Sequence, residues 1–94
     1  MALARVVSFD GVTADRIAEL EKQMDEGEPP EGMPASEMML LHDAAAEKSL
    51  AIIIFANEDD YRKGDEILSA MPASDTPGQR TSVTAYKVAV RRSI

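Results

Sequence analysis

Cysteine and tryptophan are absent from this 94-residue sequence, and phenylalanine and tyrosine contribute only two residues each. Without cysteine the chain has no disulfides, thiolate metal ligands or cysteine nucleophile. His42 is the single histidine, and without a second histidine, a cysteine or a recognisable carboxylate cluster beside it we expect no metal site. No cofactor is predicted for the function that we favour. No apolar run approaches the roughly 18 residues of a membrane span, and the first residues lack the apolar segment typical of a signal peptide. We therefore expect a cytoplasmic protein that does not enter a membrane.

Basic residues are also scarce, with 10 Lys and Arg against 17 Asp and Glu and a net charge of −7. The acidic residues concentrate in segments 15–26 and 58–66, where they are typical of solvated helix faces. Because phosphate binding requires clustered cations, nucleic acid is not an expected partner.

Two segments of the chain repeat one pattern. In each, an apolar run ends in Phe and is followed by a polar helix cap and an acidic helical segment. The first copy comprises residues 5–9 and 13–17, and the second comprises residues 52–55 and 57–61. Thr13 and Asn57 are residue types favoured at helix N-caps. The repeat predicts a strand followed by a helix, twice.

The remaining segments complete the order of elements. Further apolar segments predict four strands in all, at residues 3–9, 37–42, 50–56 and 81–92. The helices are predicted to end at a proline-rich loop (28–32) and at Pro72. Gly64 lies inside the second helix, where it either allows close packing on the sheet or is tolerated at a cost of about 1 kcal/mol. The order βαββαβ predicts one ferredoxin-like α+β domain over residues 1–94, with a four-stranded antiparallel sheet and both helices on one face.

This arrangement leaves the second face of the sheet without cover. Residues 50–55 are apolar at every position, a pattern typical of a strand that is buried on both faces. Small domains that lack disulfides often gain stability from a subunit interface. The sequence therefore predicts that a second copy of the chain covers the free face.

Residues 5–9, 39–43, 50–55 and 57–60, in this element order, resemble the dimeric α+β barrel superfamily, and within it small proteins related to antibiotic-biosynthesis monooxygenases. The resemblance covers essentially the whole chain. It implies a homodimer with face-to-face sheets that binds small hydrophobic ligands between sheet and helices or inside the barrel. Some relatives oxidise aromatic compounds without a cofactor, and some degrade haem. This chain lacks the tryptophan of the active relatives, and its short proline-rich loop stands where many have more helix.

Three functions follow as hypotheses. We expect a homodimer that binds a small hydrophobic or aromatic ligand. The alternative is a cofactor-independent monooxygenase that acts on an aromatic or quinone-like substrate. The third is haem binding through His42.

The predicted ligand-binding residues are Arg5, Phe9, Phe55 and Lys87. Because burying an unpaired charge is very costly, Arg5 is expected to point away from the helices, together with Phe9. The repeat places Phe55 on the same side, and the charge argument places Lys87 there. Two interpretations remain open: a pocket in which the rings contact a flat ligand and a cation orients it, or a subunit interface with the rings at its core.

The candidates for acid–base chemistry are His42 and Tyr86. A histidine can act as a general base, and a phenol can donate a proton to a bound oxyanion. The alternatives are a surface position for His42 and a core position for Tyr86. The second phenol, Tyr61, is expected to pack its helix against the sheet.

Overall fold

The structure is a computed structural model that describes residues 2–26, 32–70 and 77–94. The six elements, in chain order, are β1 (Leu3–Asp10), α1 (Ala14–Glu26), β2 (Ala35–Asp43), β3 (Lys48–Phe55), α2 (Glu58–Ser69) and β4 (Gln79–Lys87). The predicted order βαββαβ is confirmed. Pro72 and the predicted proline-rich loop, apart from Gly32, lie outside the described residues.

The strands form one sheet in the order β2-β3-β1-β4. β1 is antiparallel to both of its neighbours, and β2 is antiparallel to β3. Both helices pack on the same face of the sheet, since Ile17 of α1 and Tyr61 of α2 contact side chains of that face. This arrangement is the predicted ferredoxin-like fold.

Both helices begin at the predicted caps. The hydroxyl of Thr13 accepts a hydrogen bond of 3.2 Å from the backbone N–H of Arg16. The side chain of Asn57 accepts one of 2.8 Å from the backbone N–H of Asp60. Each bond satisfies a backbone donor that the first helical turn leaves without a partner.

β4 is shorter than predicted: it ends at Lys87 instead of extending to residue 92. Lys87 lies opposite Leu3, the first residue of β1. Within the described part of the chain, one backbone bond continues beyond this pair, from the N–H of Val88 to the carbonyl of Ala2 at 2.9 Å. The β-favouring residues after Lys87 therefore lack a neighbouring strand with which to pair.

The core lies between the sheet and the helices. Val7 and Phe9 of β1 cluster with Val12, and Ile17 of α1 packs against them. At the other end of the sheet, Phe55 is completely buried and lies beneath α2.

The predicted orientation of Arg5, Phe9 and Phe55 was wrong. All three face the helices, because Arg5 bonds to Asp65 of α2 and both rings belong to the core. The charge argument failed because the helix itself supplies a carboxylate that pairs with the buried guanidinium. Arg5, Phe9, Phe55 and Lys87 do share one face, as the register of β1 with β3 and β4 shows, but it is the face that carries the helices.

The segment after β4, residues 88–94, crosses from one edge of the sheet towards the other. Arg91 forms an ion pair with Glu37 of β2, although β2 and β4 are the two opposite edge strands. Val90 and Ile94 of this segment are highly exposed.

Candidate functional site

The sheet has two faces of different character. We call the side that carries the helices the helix face, and the other side the open face. Strand alternation assigns to the open face Ala4, Val6 and Ser8 of β1, Met39 and Leu41 of β2, Leu50, Ile52 and Ile54 of β3, and Ser82, Thr84 and Tyr86 of β4.

The open face exposes large apolar side chains. Met39 is 50% exposed and Tyr86 is 56% exposed, and Leu41 and Leu50 are also exposed. These residues lie on one continuous surface, because Leu41 is directly opposite Leu50 and Met39 is directly opposite Ile52. Scattered apolar residues are normal on a surface, but a contiguous apolar patch marks an interaction site.

A cleft of about 530 Å³ lies where β1 and β2 end and β3 begins. Leu41 and Leu50 contribute its apolar wall, and Ser8 and Thr81 contribute hydroxyl groups. Lys48 also lines the cleft, between Asp10 and Asp43, its direct partners on the two neighbouring strands. The cleft is open to solvent on one side, and most of its lining residues are polar or charged, with Phe9, Leu41 and Leu50 as its apolar part.

Two of the predicted site residues, Phe9 and His42, line this cleft, but the cleft itself was not predicted from the sequence. The available signal was the alternation of Leu50, Ile52 and Ile54, which places every second residue of β3 on the open face. The charge of Arg5 was the stronger signal in the sequence, and Arg5 lies on the opposite face.

On the helix face, Arg5 has a distinctive environment. The residue is only 3% exposed, and its Nε donates a hydrogen bond of 2.9 Å to Oδ1 of Asp65. Among the described residues, its buried Nη2 has no hydrogen-bond partner. The bond to Asp65 therefore links α2 to the sheet. The described residues do not use all of the hydrogen-bond donors of the Arg5 guanidinium.

Tyr61 packs α2 against the sheet, as predicted. Its ring meets Phe55 edge to face, with centroids 5.5 Å apart and an interplanar angle of 73°. Burial raises the pKa of the Tyr61 phenol, the negative charge of Asp65 raises it further, and Arg5 acts in the opposite direction. The phenol therefore keeps its proton at neutral pH and can serve as a donor.

Phe55 and Gly64 fit together closely. A Cβ atom added at Gly64 would lie 2.2 Å from Cε1 of Phe55. Of the two interpretations of Gly64, the structure supports close packing. Phe55 and Phe9 are both core residues of this chain.

His42, the first acid–base candidate, is half-buried and forms a hydrogen bond within the chain. Its Nε2 lies 3.0 Å from the carbonyl oxygen of Val12. A carbonyl only accepts, so Nε2 carries the proton and donates. The N–H of Val12 in turn bonds to the carbonyl of Glu47 at 2.7 Å. Both backbone polar groups of Val12 are therefore hydrogen-bonded.

Tyr86, the second candidate, lies on the open face opposite Ala4. Its exposure excludes the predicted core position. His42 and Tyr86 project to opposite faces of the sheet, since His42 pairs with Ser49 in the same register as Phe9. The structure therefore does not bring the two candidates together.

Comparison of this chain with family models, curated proteins and solved structures found no significant match. Within the described ranges, no cluster of three or more histidine or carboxylate side chains is placed to hold a metal ion. None of the described helices has the length and apolar character needed to cross a membrane.

Proposed function

We propose that this protein is a homodimer of the dimeric α+β barrel type that binds a small apolar or aromatic molecule against the open face of its sheet. The observation that carries the proposal is the group of exposed apolar side chains on the open face, which includes Met39, Leu41, Leu50 and Tyr86. No described observation favours the oxygenase alternative, which stays a prediction.

The residues of the open face favour a second copy of the chain as the molecule that covers this face. β3 has the continuous apolar sequence of a strand covered on both sides, yet one chain covers only its helix face. The edge of the open face carries both signs of charge, with Lys48 between Asp10 and Asp43. A two-fold contact between identical surfaces allows the cation of each copy to approach the carboxylates of the other.

The ligand site that we propose is the cleft beside Leu41 and Leu50. A single chain leaves it open on one side, and a second sheet packed on the open face would close it. The apolar part of the cleft, formed by Phe9, Leu41 and Leu50, can contact an apolar or aromatic body, and the surrounding hydroxyl and charged groups can bond to polar substituents of that body.

Two adjacent methionines offer a matched test of the dimer. Met39 is 50% exposed on the open face, and Met38 is 52% exposed on the helix face, opposite Ile53. We expect Met39→Lys to convert the dimer to a monomer, because dimerisation would bury its charge. Met38→Lys makes the same chemical change and should leave the dimer intact. Sedimentation velocity over a wide concentration range measures both.

A wild-type chain that sediments as a monomer at every concentration would refute the proposal. Equal sensitivity of the two variants would refute the assignment of the interface to the open face. For the ligand, a ¹⁵N-HSQC titration with 2-naphthol should shift the amides of Ser8, Leu41 and Leu50, and an unchanged spectrum would argue against the cleft.

Haem binding is the weaker alternative and is also untested. Its candidate ligand atom, Nε2 of His42, already donates to Val12, so coordination through Nε2 would break that bond. A haem titration of the wild type and His42→Ala decides the matter, since a Soret shift that depends on His42 would favour haem.

A further inference from the structure

The segment after β4, residues 88–94, lies across one end of the open face. It starts beside β1, where the N–H of Val88 bonds at 2.9 Å to the backbone carbonyl of the residue before that strand. It reaches β2, where Arg91 pairs with Glu37. Glu37 lies opposite Ile54, a residue of the open face, so the segment crosses the sheet on that face. We call this segment the strap.

The side chains of the open face form three rows that run across β1, β3 and β2. In order from the end beneath the strap, the rows are Ala4, Ile54 and Glu37; then Val6, Ile52 and Met39; then Ser8, Leu50 and Leu41. The strap crosses the first row, and the cleft lies at the third. Ala4 in the first row is only 8% exposed, whereas Leu50 in the third is 38% exposed. One end of the open face therefore carries a protruding segment, and the other end carries a cleft.

The positions of the strap and the cleft are related through the central row. The first and third rows are equally distant from it, since each lies two residues away along the strands. A two-fold axis along the central row would therefore place the strap of each copy over the cleft of the other. An axis parallel to the strands would instead bring the two straps together and hold the two third rows apart. Close packing favours the first arrangement, in which a protruding segment fills a cleft.

The strap and the cleft also match in chemistry. Val90 is 88% exposed and points away from its own sheet, and the apolar part of the cleft includes Leu41 and Leu50. Arg92 is exposed, and none of the ion pairs among the described residues includes it. The exposed carboxylate of Asp43 lines the cleft at the end of β2, the strand towards which the strap runs. Opposite charges on two surfaces that meet favour the correct orientation of the partners.

We propose that the strap of each copy closes the cleft of the other copy in the homodimer. Val90 of one copy packs on Leu41 and Leu50 of the other. The guanidinium of Arg92 lies beside the carboxylate of Asp43 across the interface. This inference rests on the proposed function, because it requires the homodimer, and it adds that each ligand site is built from both copies. A ligand in the cleft then lies between the two leucines of one copy and the strap of the other.

The chain contains no cysteine, so single-cysteine variants can report which residues meet in the dimer. Val90→Cys and Leu50→Cys are mixed in equal amounts and mildly oxidised, and mass spectrometry should show the mixed disulfide as the main product. Val83→Cys in place of Val90→Cys is the matched control. Val83 is also an exposed valine, but it lies opposite Val7 on the helix face, so little mixed product is expected.

A charge placed on the strap should weaken the dimer. Val90→Lys should raise the Kd of dimerisation by about tenfold or more, because the interface would bury the new charge. Val83→Lys makes the same chemical change on the helix face and should leave the Kd unchanged. Since Val90 is almost fully exposed within one chain, its substitution should not affect folding. Sedimentation velocity over a wide concentration range measures both variants.

A pair of charge reversals tests the contact of Arg92. Arg92→Glu should raise the Kd of dimerisation by about threefold or more, since it replaces an attraction across the interface with a repulsion. Arg80→Glu changes the net charge equally, but Arg80 lies opposite Phe9 of the helix face, so this variant should dimerise like the wild type.

The possible outcomes separate this proposal from the homodimer itself. A wild type that stays monomeric would overturn both. If Met39→Lys breaks the dimer and Val90→Lys does not, the homodimer stands and the position of the strap is wrong. A main product that joins two copies of Val90→Cys would show that the straps meet each other, which contradicts the proposal. Equal effects of Arg92→Glu and Arg80→Glu would overturn the contact with Asp43.

Discussion

The two faces of this sheet are built from the same strands but packed in different ways. On the helix face, Ile53 and Phe55 are buried by the chain's own helices, and the contacts are specific: Arg5 meets Asp65, and Phe55 lies against Gly64. On the open face, Ile52 and Ile54 of the same strand are only half-buried, and Leu50 is exposed. The two helices cover only one face of this four-stranded sheet, and the other face keeps large apolar side chains exposed.

The sharpest test of this comparison uses Ile53 and Ile52, which are adjacent and chemically identical. Ile53→Ala should lower the free energy of unfolding by about 3 kcal/mol, because it removes a buried side chain from a packed core. Ile52→Ala should lower it by about 1 kcal/mol in dilute solution, where only part of the side chain is covered. Urea unfolding measures both.

The dependence of the free energy of unfolding on protein concentration distinguishes the two faces further. If the open face forms the dimer, the cost of Ile52→Ala grows with concentration, since dimerisation adds to the stability of the wild type. The cost of Ile53→Ala should not follow this trend. A larger loss for Ile52→Ala than for Ile53→Ala in dilute solution would invalidate the distinction between the faces.

A smaller effect is expected at Gly64. Gly64→Ala should destabilise the protein by about 1–2 kcal/mol. The clash of the new methyl group with Phe55 is more unfavourable than the higher helix propensity of alanine is favourable. The double variant Gly64→Ala/Phe55→Leu tests the mechanism by shortening the opposing side chain. Its loss in urea unfolding should be less than the sum of the two single losses, and strict additivity would show that the ring is not the cause.

The smallest effect concerns Tyr61 at alkaline pH. Its pKa in the folded protein lies above the ordinary value of 10.0, so the unfolded chain ionises first. The stabilisation is therefore complete below pH 10 and is lost as the pH rises through the folded pKa. Tyr61→Phe should remove this part of the pH dependence in urea unfolding.

A direct check of Tyr61 uses the variant Tyr86→Phe, which leaves Tyr61 as the only tyrosine. Its phenolate absorbance should then rise at a higher pH in the folded protein than in urea. Coincident titration curves would show that the environment of Tyr61 does not favour the neutral phenol.

Local patterns in the sequence predicted most of the fold. Thr13 and Asn57 act as caps through bonds to residues three positions away, so a short window contains all the information required. The end of β4 depends on β1, which is distant in sequence, and β propensity alone extended the strand too far. Strand pairing is a long-range property that a single segment does not encode.

The candidate sites were harder to predict for the same reason. Arg5 was assigned to the wrong face because its partner, Asp65, lies on a helix 60 residues away along the chain. For Tyr86 the core position was the alternative to a role in acid–base chemistry, but its strand lies at the edge of the sheet and its ring is exposed on the open face. In both cases the residue type indicated the chemistry of the side chain. The sequence did not show which residues surround that side chain in the fold.

The ion pair between Arg91 and Glu37 has a consequence for the order of folding. It joins the segment after the last strand to the opposite edge of the sheet, so its native position requires β3 and β1 to be paired between them. Contacts of such long sequence separation form late, because the chain must first lose the entropy of closing the loop. A fluorescent label attached near Arg91 should therefore report the final step of refolding, after the backbone of the sheet is already assembled.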